Sequence, residues 1–229
     1  MKALEHIAFI MDGNGRWAKN KNMPISYGHK KGVEVIDIIL KESLKHNNIK
    51  MLTFYAFSTE NWKRSETEIK YLFKLVKEFY KKKKKDFIEN NIQFKFIGST
   101  EKIPENILKI FNDFENETKE CDRLIVNIAF NYGGRQEIID AVNKIIKEKK
   151  ENINIEEFEK YLYSNNNLYN NVDLLVRTSG EERISNFLLW QIAYTEFLFM
   201  DKYWPDINEQ DFTYLISEYE KRNRRFGER

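Results

Sequence analysis

Short apolar runs recur along the chain and alternate with longer segments of helical periodicity. Runs of this length are too short for ordinary helices and indicate strands that are buried on both faces. Strands that alternate with helices predict a single α/β domain over residues 1–229, with a central, mainly parallel sheet of about six strands flanked by helices. The predicted strands are 7–11, 50–57, 92–97, 124–130, 172–176 and 196–200.

Apolar residues spaced three and four apart predict the helices between these strands. Ser65 and Glu68 stand in the positions of a capping box, which explains both residues without substrate contact and begins a long helix. The lysine run 81–85 is interpreted as the solvated end of that helix, in preference to a membrane or polyanion contact. The predicted helices are 29–47, 65–90, 104–121, 138–145, 154–163, 187–194 and a last one from 206 or 208 to 219.

The charge and cysteine content restrict the function. The 38 basic and 36 acidic residues leave a net charge of only +2, which argues against a general nucleic-acid binder. The single Cys121 cannot form an internal disulfide, and a reducing compartment fits this. Because neither a signal peptide nor a membrane-spanning apolar run is found, we expect a cytoplasmic protein with at most transient association with the membrane.

The first predicted strand stops at Asp12, and a glycine-spaced turn carrying Asn14 and Arg16 follows. Gly13 and Gly15 allow backbone N–H groups to approach a ligand closely, and a guanidinium group suits phosphate. A carboxylate beside such a phosphate cradle suggests a bridging Mg²⁺. The alternative is a tight surface turn in which Asp and Asn serve the turn geometry.

Polar loops follow the other predicted strands too, and parallel sheets bind ligands at the carboxyl ends of their strands. The expected rim is rich in cations and poor in carboxylates, which suits phosphate or diphosphate groups with one sparingly held divalent metal. The chain has no P-loop, no G-x-G-x-x-G after a strand and no D-D-x-x-D pair. The residues expected to converge are Asp12, Asn14, Arg16, His29, Ser58, Asn61, Arg64, Arg177, Arg183, Ser185 and Glu196.

These loops carry motifs that resemble those of the cis-prenyltransferases, in particular the bacterial members that make undecaprenyl diphosphate. The similarity covers essentially the whole chain in order, and the combination of motifs is highly specific. The matching stretches are HIAFIMDGNGRWA (6–18), GHK (28–30), YAFSTENWKR (55–64), NYGGR (131–135), RTSGE (177–181), RISNFLLWQ (183–191), Glu196, WP (204–205) and RRFG (224–227).

The resemblance implies that farnesyl diphosphate is extended repeatedly by isopentenyl diphosphate, with a cis double bond made in each step. It implies Mg²⁺ held by Asp12 and Glu196, and it implies that Asp12 helps the allylic diphosphate to leave. Asn61 would assist proton removal, although the departing diphosphate is an alternative acceptor because a neutral amide is a poor base. The implied substrate-binding residues are Gly13, Asn14, Gly15, Arg16, Trp17, His29, Ser58, Thr59, Glu60, Trp62, Arg64, Arg177, Arg183, Ile184 and Ser185.

The resemblance also implies a homodimer, with the C-terminal segment from Glu196 onward as a candidate interface. It implies a product delivered to the membrane by a protein that does not span it. It further implies a hydrophobic tunnel between the sheet and the helices 29–47 and 65–90. The chain departs from the family at Ile25, where an arginine is usual, at Ser65, where proline is common, and at Glu182, which is sometimes histidine. The remaining alternatives are a synthase of different product length, a phosphohydrolase with Asp12 as nucleophile, and a catalytically silent protein that binds phosphorylated ligands.

Overall fold

All the strand pairs of the structure are parallel, so the carboxyl ends of the strands meet along one edge. The structure is a computed structural model that describes residues 3–164 and 169–222; the 224–227 motif lies outside them. The described strands are β1 (His6–Ile10), β2 (Met51–Ser58), β3 (Ile92–Ile97), β4 (Leu124–Tyr132), β5 (Leu174–Thr178) and β6 (Glu196–Met200). They form one six-stranded sheet in the order β3-β4-β2-β1-β5-β6, which confirms the predicted α/β fold.

Apolar residues fill a separate core on each face of this sheet. Phe9 and Phe54 belong to the larger cluster, whereas Ala8 and Leu175 belong to a second one. Successive strand residues point to opposite faces, so a continuous apolar run supplies both cores. The helices are α1 (Asn14–Asn20), α2 (Ile25–Leu44), α3 (Glu66–Glu89), α4 (Glu105–Thr118), α5 (Gly134–Lys147), α6 (Ile155–Glu159) and α7 (Glu209–Glu220), with 3₁₀ turns at Thr59–Lys63 and Trp204–Asp206.

Local sequence sets the starts of the two helices that matter for the site. The helix α2 begins at Ile25, four residues before the predicted start at 29, because the extended Pro24 stands at its N-cap position. The Ser65 hydroxyl accepts a hydrogen bond from the Glu68 N–H over 3.3 Å, so the predicted cap of α3 is confirmed.

The predicted helix 187–194 is wrong, since these residues form turns. Asn186 and Leu188 have φ of 61° and 47°, left-handed values that interrupt an α-helix. Phe187 and Leu188 are nevertheless fully buried in the second core, so their apolar character serves packing. Over residues 3–164 and 169–222, no helix combines the length and the apolarity that crossing a membrane requires.

Candidate active site

The site lies where the strand order changes direction. From β1 the chain extends the sheet through β2 on one side and through β5 on the other. Open parallel sheets bind ligands in the crevice at such a switch point. Ile10 is in register with Arg177, so Asp12 follows β1 at the level where β5 carries its arginine.

Asp12 is held by cationic and backbone donors. Arg177 donates to its Oδ2 over 2.8 Å, the Gly13 N–H donates to Oδ1 over 2.7 Å, and an Arg16 nitrogen lies 3.3 Å from Oδ1. Burial by itself would raise the pKa of this carboxyl, but the Arg177 hydrogen bond and the other partners outweigh it and hold the pKa below its ordinary value. Asp12 is therefore an ionised carboxylate at neutral pH.

Arg177 is almost fully buried, and it organises the loop after β5. One guanidinium nitrogen donates to the Ser185 hydroxyl over 2.8 Å and to the Arg183 carbonyl oxygen. Its Nε is buried and, within the described residues, has no hydrogen-bond partner. A buried guanidinium needs several polar partners, and Asp12 and this loop supply them. The structure thus brings Asp12, Arg177 and Ser185 together as predicted.

Arg183 lies nearer the protein surface than Arg177. Its side chain is 61% exposed and pairs with Glu181, which also accepts a hydrogen bond from Arg16 over 3.2 Å. The Arg183 hydrogen bond and charge lower the pKa of Glu181. Arg16 also donates to the Ser179 hydroxyl. Arg16 and Arg183 therefore flank the opening on either side of one carboxylate.

The glycine-spaced turn begins α1 without a side-chain cap. Gly13 adopts φ 101°, and a Cβ there would lie 2.6 Å from the Tyr203 ring, so glycine is required at this position. The uncapped first turn leaves backbone N–H groups for an anion. Trp17, by contrast, is buried and donates to the Asp206 carboxylate over 2.6 Å, which makes it a structural residue behind the cradle.

The loop after β2 forms the opposite wall. The Asn61 Oδ1 accepts the Ser58 N–H over 3.0 Å, so the amide oxygen is occupied by the turn that holds Asn61 in place. Glu60 accepts a hydrogen bond from Asn186 over 3.1 Å, which links the β2 loop to the β5 loop, and a second one from its neighbour Thr59 over 3.2 Å. The two walls are therefore connected above the strand ends.

Trp62 points into the core. Its indole N–H donates to Asn131 over 2.7 Å, and its ring packs edge-on against Phe57 at 5.1 Å. It anchors the loop from below, and it does not line the cleft.

Glu68 does more than the capping box predicts. Its Oε1 accepts the His29 Nε2 over 3.0 Å and an Arg64 nitrogen over 2.9 Å, so it ties α2 to the loop that precedes α3. Burial, opposed by the Glu68 hydrogen bond, lowers the pKa of His29. The assignment of Glu68 to capping alone is therefore incomplete, because its backbone caps while its side chain joins two predicted site residues.

Two connected spaces open at this site. A polar cleft of about 1140 Å³, open to solvent, is lined by Asp12, His29, Asn61, Arg64 and Arg177 among others. An apolar cavity adjoins it beneath α2 and α3. The residues shared by both spaces are Met11, Asn14, His29 and Ala56. A polar head and a long apolar tail could therefore be bound together.

The predicted residues divide accordingly. The predicted residues that line the cleft are Asp12, Asn14, His29, Ser58, Glu60, Asn61, Arg64, Arg177 and Ser185. The predicted residues that do not line it are Gly13, Gly15, Arg16, Trp17, Thr59, Trp62, Arg183 and Ile184. Sequence reasoning missed Tyr55 and Asn186, which also line it. Both residues could have been predicted, because Tyr55 stands in the matching stretch 55–64 and Asn186 in the matching stretch 183–191. The Tyr55 hydroxyl bonds the Tyr132 and Ser185 carbonyl oxygens and so braces the cleft wall.

Glu196 does not join this cleft within the chain. It is in register with Leu174, three residues before Arg177, which places it about 10 Å away along the strand direction, toward the amino end of the sheet. Its carboxylate pairs with Arg222 at 3.0 Å. The tertiary structure thus separates the two metal ligands that the resemblance implies.

The cleft offers a divalent metal few protein ligands. Over the described ranges, no three carboxylate, imidazole or thiol groups come together as a metal cluster. Mg²⁺ in phosphate-binding enzymes is commonly held by one or two carboxylates together with substrate phosphate oxygens and water. The ionised Asp12 therefore fits a metal ion that substrate phosphates and water also bind. It does not fit a metal ion that is bound by protein ligands alone.

Known proteins resemble this chain over nearly its whole length. The family described as "Putative undecaprenyl diphosphate synthase" matches residues 10–227. The chain belongs to the cis-prenyltransferase family. The isoprenyl transferase of Fusobacterium nucleatum is 49% identical over 97% of this chain and 95% of its own length. The isoprenyl transferase of Thermotoga maritima is 45% identical over 99% and 98%.

Solved structures of this prenyltransferase family show the same fold. A lavandulyl diphosphate synthase of Lavandula x intermedia, in complex with dimethylallyl diphosphate, has a TM-score of 0.93 at 33% identity, covering 98% of each chain. A "probable undecaprenyl diphosphate synthase" of Campylobacter jejuni has a TM-score of 0.83 at 33% identity, covering 100% of each. The chain is therefore an enzyme that transfers isoprenyl groups, as its cis-prenyltransferase motifs predicted.

Proposed function

We propose that this enzyme condenses isopentenyl diphosphate repeatedly onto farnesyl diphosphate, makes a cis double bond in each step and forms undecaprenyl diphosphate. The observation that supports it most is the continuity of the cationic cleft with the apolar cavity through His29, Asn14 and Met11. A growing prenyl chain needs such dry space, since burying each CH₂ is worth about 0.8 kcal/mol.

In the proposed reaction the allylic C–O bond to diphosphate breaks, a C–C bond forms to the isopentenyl unit, and a proton leaves that unit. The uncapped turn after Gly13 and the Arg16 guanidinium bind the allylic diphosphate. Arg177 and Ser185 orient the isopentenyl diphosphate beside it. Because the Asn61 oxygen already accepts the Ser58 N–H, the departing diphosphate is favoured over Asn61 as the proton acceptor.

Asp12 would hold Mg²⁺ together with diphosphate oxygens. When bound, the ion neutralises the negative charge that develops on the leaving group. The carboxylate itself stays ionised at neutral pH because of Arg177, so it is ready for a cation without a proton to lose. Within the chain, Glu196 lies about 10 Å from Arg177 along the strand direction, so it would reach this ion only from a second copy of the chain.

We also propose a homodimer. The helix α5 exposes apolar Ile139, Val142 and Ile146, three residues spaced along one face, with exposed fractions of 53%, 38% and 66%. An apolar stripe of this kind is typical of an interaction surface. Sedimentation of the purified chain decides its oligomeric state. A single domain over residues 1–229 and a cytoplasmic location stay predictions.

The test is Asp12→Asn, which removes the charge and keeps the shape. We expect incorporation of labelled isopentenyl units to fall by at least about 10³-fold, in line with the loss of one electrostatic contact to a developing charge. The fold should be retained, as judged by circular dichroism and thermal unfolding. Asp201→Asn makes the same change at an exposed aspartate outside the cleft and should retain turnover. Full activity of Asp12→Asn would refute the proposed role.

Product length is the open alternative within the same class. The structural relative named for lavandulyl diphosphate shows that the fold serves more than one product. Incubation of the enzyme with both diphosphates and Mg²⁺, followed by mass analysis of the lipids, distinguishes an undecaprenyl product from a shorter or longer one. Phosphate release without a prenyl acceptor would instead favour the phosphohydrolase.

A further inference from the structure

His29 lines a third space, a surface groove of about 910 Å³ between the beginnings of α2 and α3. Pro24 and Ile25 form one side of this groove, and Lys70, Tyr71 and Lys74 form the other. The same histidine also lines the cleft and the apolar cavity, so the groove lies directly beside the site.

The outer face of α3 continues from this groove as a lysine stripe. Lys70, Lys74, Lys77 and Lys81 are all exposed and recur at intervals of four, three and four residues, so they lie on one face of the helix. The stripe extends over roughly 16 Å at 1.5 Å per residue. The opposite face of α3 supplies Leu72, Leu75, Val76 and Phe79 to the apolar cavity. One helix therefore separates the cavity from a basic surface.

The acidic partners on this face are few. Lys70 pairs with Glu66 at 3.1 Å and Lys74 pairs with Glu78 at 3.7 Å, and both pairs are exposed. Exposed pairs of this kind are weak. Lys77 and Lys81 have no ion pair within the described residues, so the stripe keeps excess positive charge although the whole chain is close to neutral.

Exposed apolar side chains adjoin the stripe at the groove. Ile25 is 49% exposed and lines the groove opposite Tyr71, and Met23, which is 46% exposed, directly precedes the groove residue Pro24. Lysines that surround exposed aliphatic and aromatic side chains are typical of proteins that lie on a bilayer surface. A surface that binds nucleic acid gains nothing from exposed methionine and isoleucine, so this combination favours lipid.

We propose that the docking surface formed by Met23, Ile25, Tyr71, Lys70, Lys74, Lys77 and Lys81 binds an anionic lipid bilayer, with the groove facing the lipid. Of the lysine run 81–85, which is interpreted from the sequence as a solvated helix end, the proposal assigns Lys81 to the bilayer contact. The purpose of the contact rests on the proposed function, because a long prenyl product that leaves the cavity needs an apolar destination. The contact itself requires no turnover.

The test is sedimentation of the full chain with vesicles of phosphatidylcholine, alone or mixed with phosphatidylglycerol, at low and at high salt. We expect binding only to the mixed vesicles and its loss at high salt, because anionic headgroups attract lysines through screened charge. The variant with Lys74→Gln, Lys77→Gln and Lys81→Gln should bind on the order of 100-fold more weakly, given about 1 kcal/mol per lysine. Met23→Ser should weaken binding with the lysines intact.

The matched control replaces Lys102, Lys147 and Lys149 with glutamine, which removes the same charge from exposed positions outside α3. Equal weakening by the control, or no binding of the unmodified chain to mixed vesicles, would overturn the proposal. So would equally tight binding to duplex RNA that Met23→Ser leaves unchanged, since this would identify a polyanion surface. Prenyl transfer is assayed separately in detergent, so vesicle binding without transfer would reject the proposed function and leave the docking surface intact.

Discussion

Asp12 and Arg177 show how one residue pair sets the chemistry of the rim. A half-buried carboxylate is harder to ionise and a buried guanidinium is costly to desolvate, yet the 2.8 Å contact between them compensates both. Arg177 is further held by the Ser185 hydroxyl at 2.8 Å, so its position does not depend on substrate. The charges that would meet the proposed metal and diphosphate are therefore both held in place by contacts within the chain.

Gly13 is the residue where backbone geometry most directly limits substitution. In Gly13→Ala the left-handed φ of 101° and the 2.6 Å approach to Tyr203 act together, so we expect a loss of about 2–4 kcal/mol in the free energy of unfolding and a large loss of turnover. Gly180→Ala is the matched control, because Gly180 also has a positive φ of 73° but its Cβ would lie 3.4 Å from its nearest neighbour. Urea unfolding measures both, and equal losses would contradict the steric argument.

The helix α3 shows how one element can serve two surroundings. Its apolar positions line the cavity, its lysines face solvent, and its first turn carries Glu68 to His29 and Arg64. The periodicity of α3 predicted the two faces correctly. The link through Glu68 depends on α2 lying alongside, which no local pattern contains.

Val76→Phe on α3 tests whether the cavity limits product length. Val76 lines the cavity, so a phenyl group there takes space that the growing chain would occupy, and we expect the lipid products to become shorter. Mass analysis of products made under identical conditions measures the shift. Ile88→Phe adds the same bulk to α3 at a position that is 45% exposed and should leave product length unchanged. An unaltered product distribution in Val76→Phe would place the growing chain elsewhere.

At the scale of the whole molecule, the two ends of the parallel sheet differ in structure. The carboxyl end bears the cleft, whereas the amino end is closed by a buried polar cluster around His6. The His6 Nε2 lies 2.7 Å from the Thr53 hydroxyl, and the Asp173 carboxylate accepts the backbone N–H groups of Glu5 and His6 at 3.0 Å. These bonds connect β1, β2 and the residues just before β5 at the end remote from the chemistry.

The buried His6 makes stability depend on pH. Burial lowers its pKa from 6.5 to about 4, so between these values the unfolded chain binds a proton that the folded chain does not. This contribution to stability is present above pH 6.5 and is lost as the pH falls toward 4, by about 3 kcal/mol in total. Urea unfolding at pH 7 and pH 5 measures the slope. His6→Gln should flatten it, and an unchanged slope in His6→Gln would exclude His6 as its source.

Much of the fold and part of the site followed from the sequence. The six strands, the α/β architecture and the convergence of Asp12, Arg177 and Ser185 follow from apolar runs that end in polar loops, because parallel strands bring their carboxyl ends to one edge. The helix 187–194 was wrongly predicted because apolar content alone does not reveal left-handed residues such as Asn186.

The sequence by itself determined the six strands, the long helices and the edge of the sheet at which the polar loops meet, since apolar runs and helical periodicity are local properties. Only the tertiary structure decided the partners of long polar side chains. It joined Glu68 to His29, turned Trp17 toward Asp206, and left Glu196 with Arg222. Such side chains have several rotamers of similar energy, so the neighbours that packing brings within hydrogen-bond distance determine where each one points.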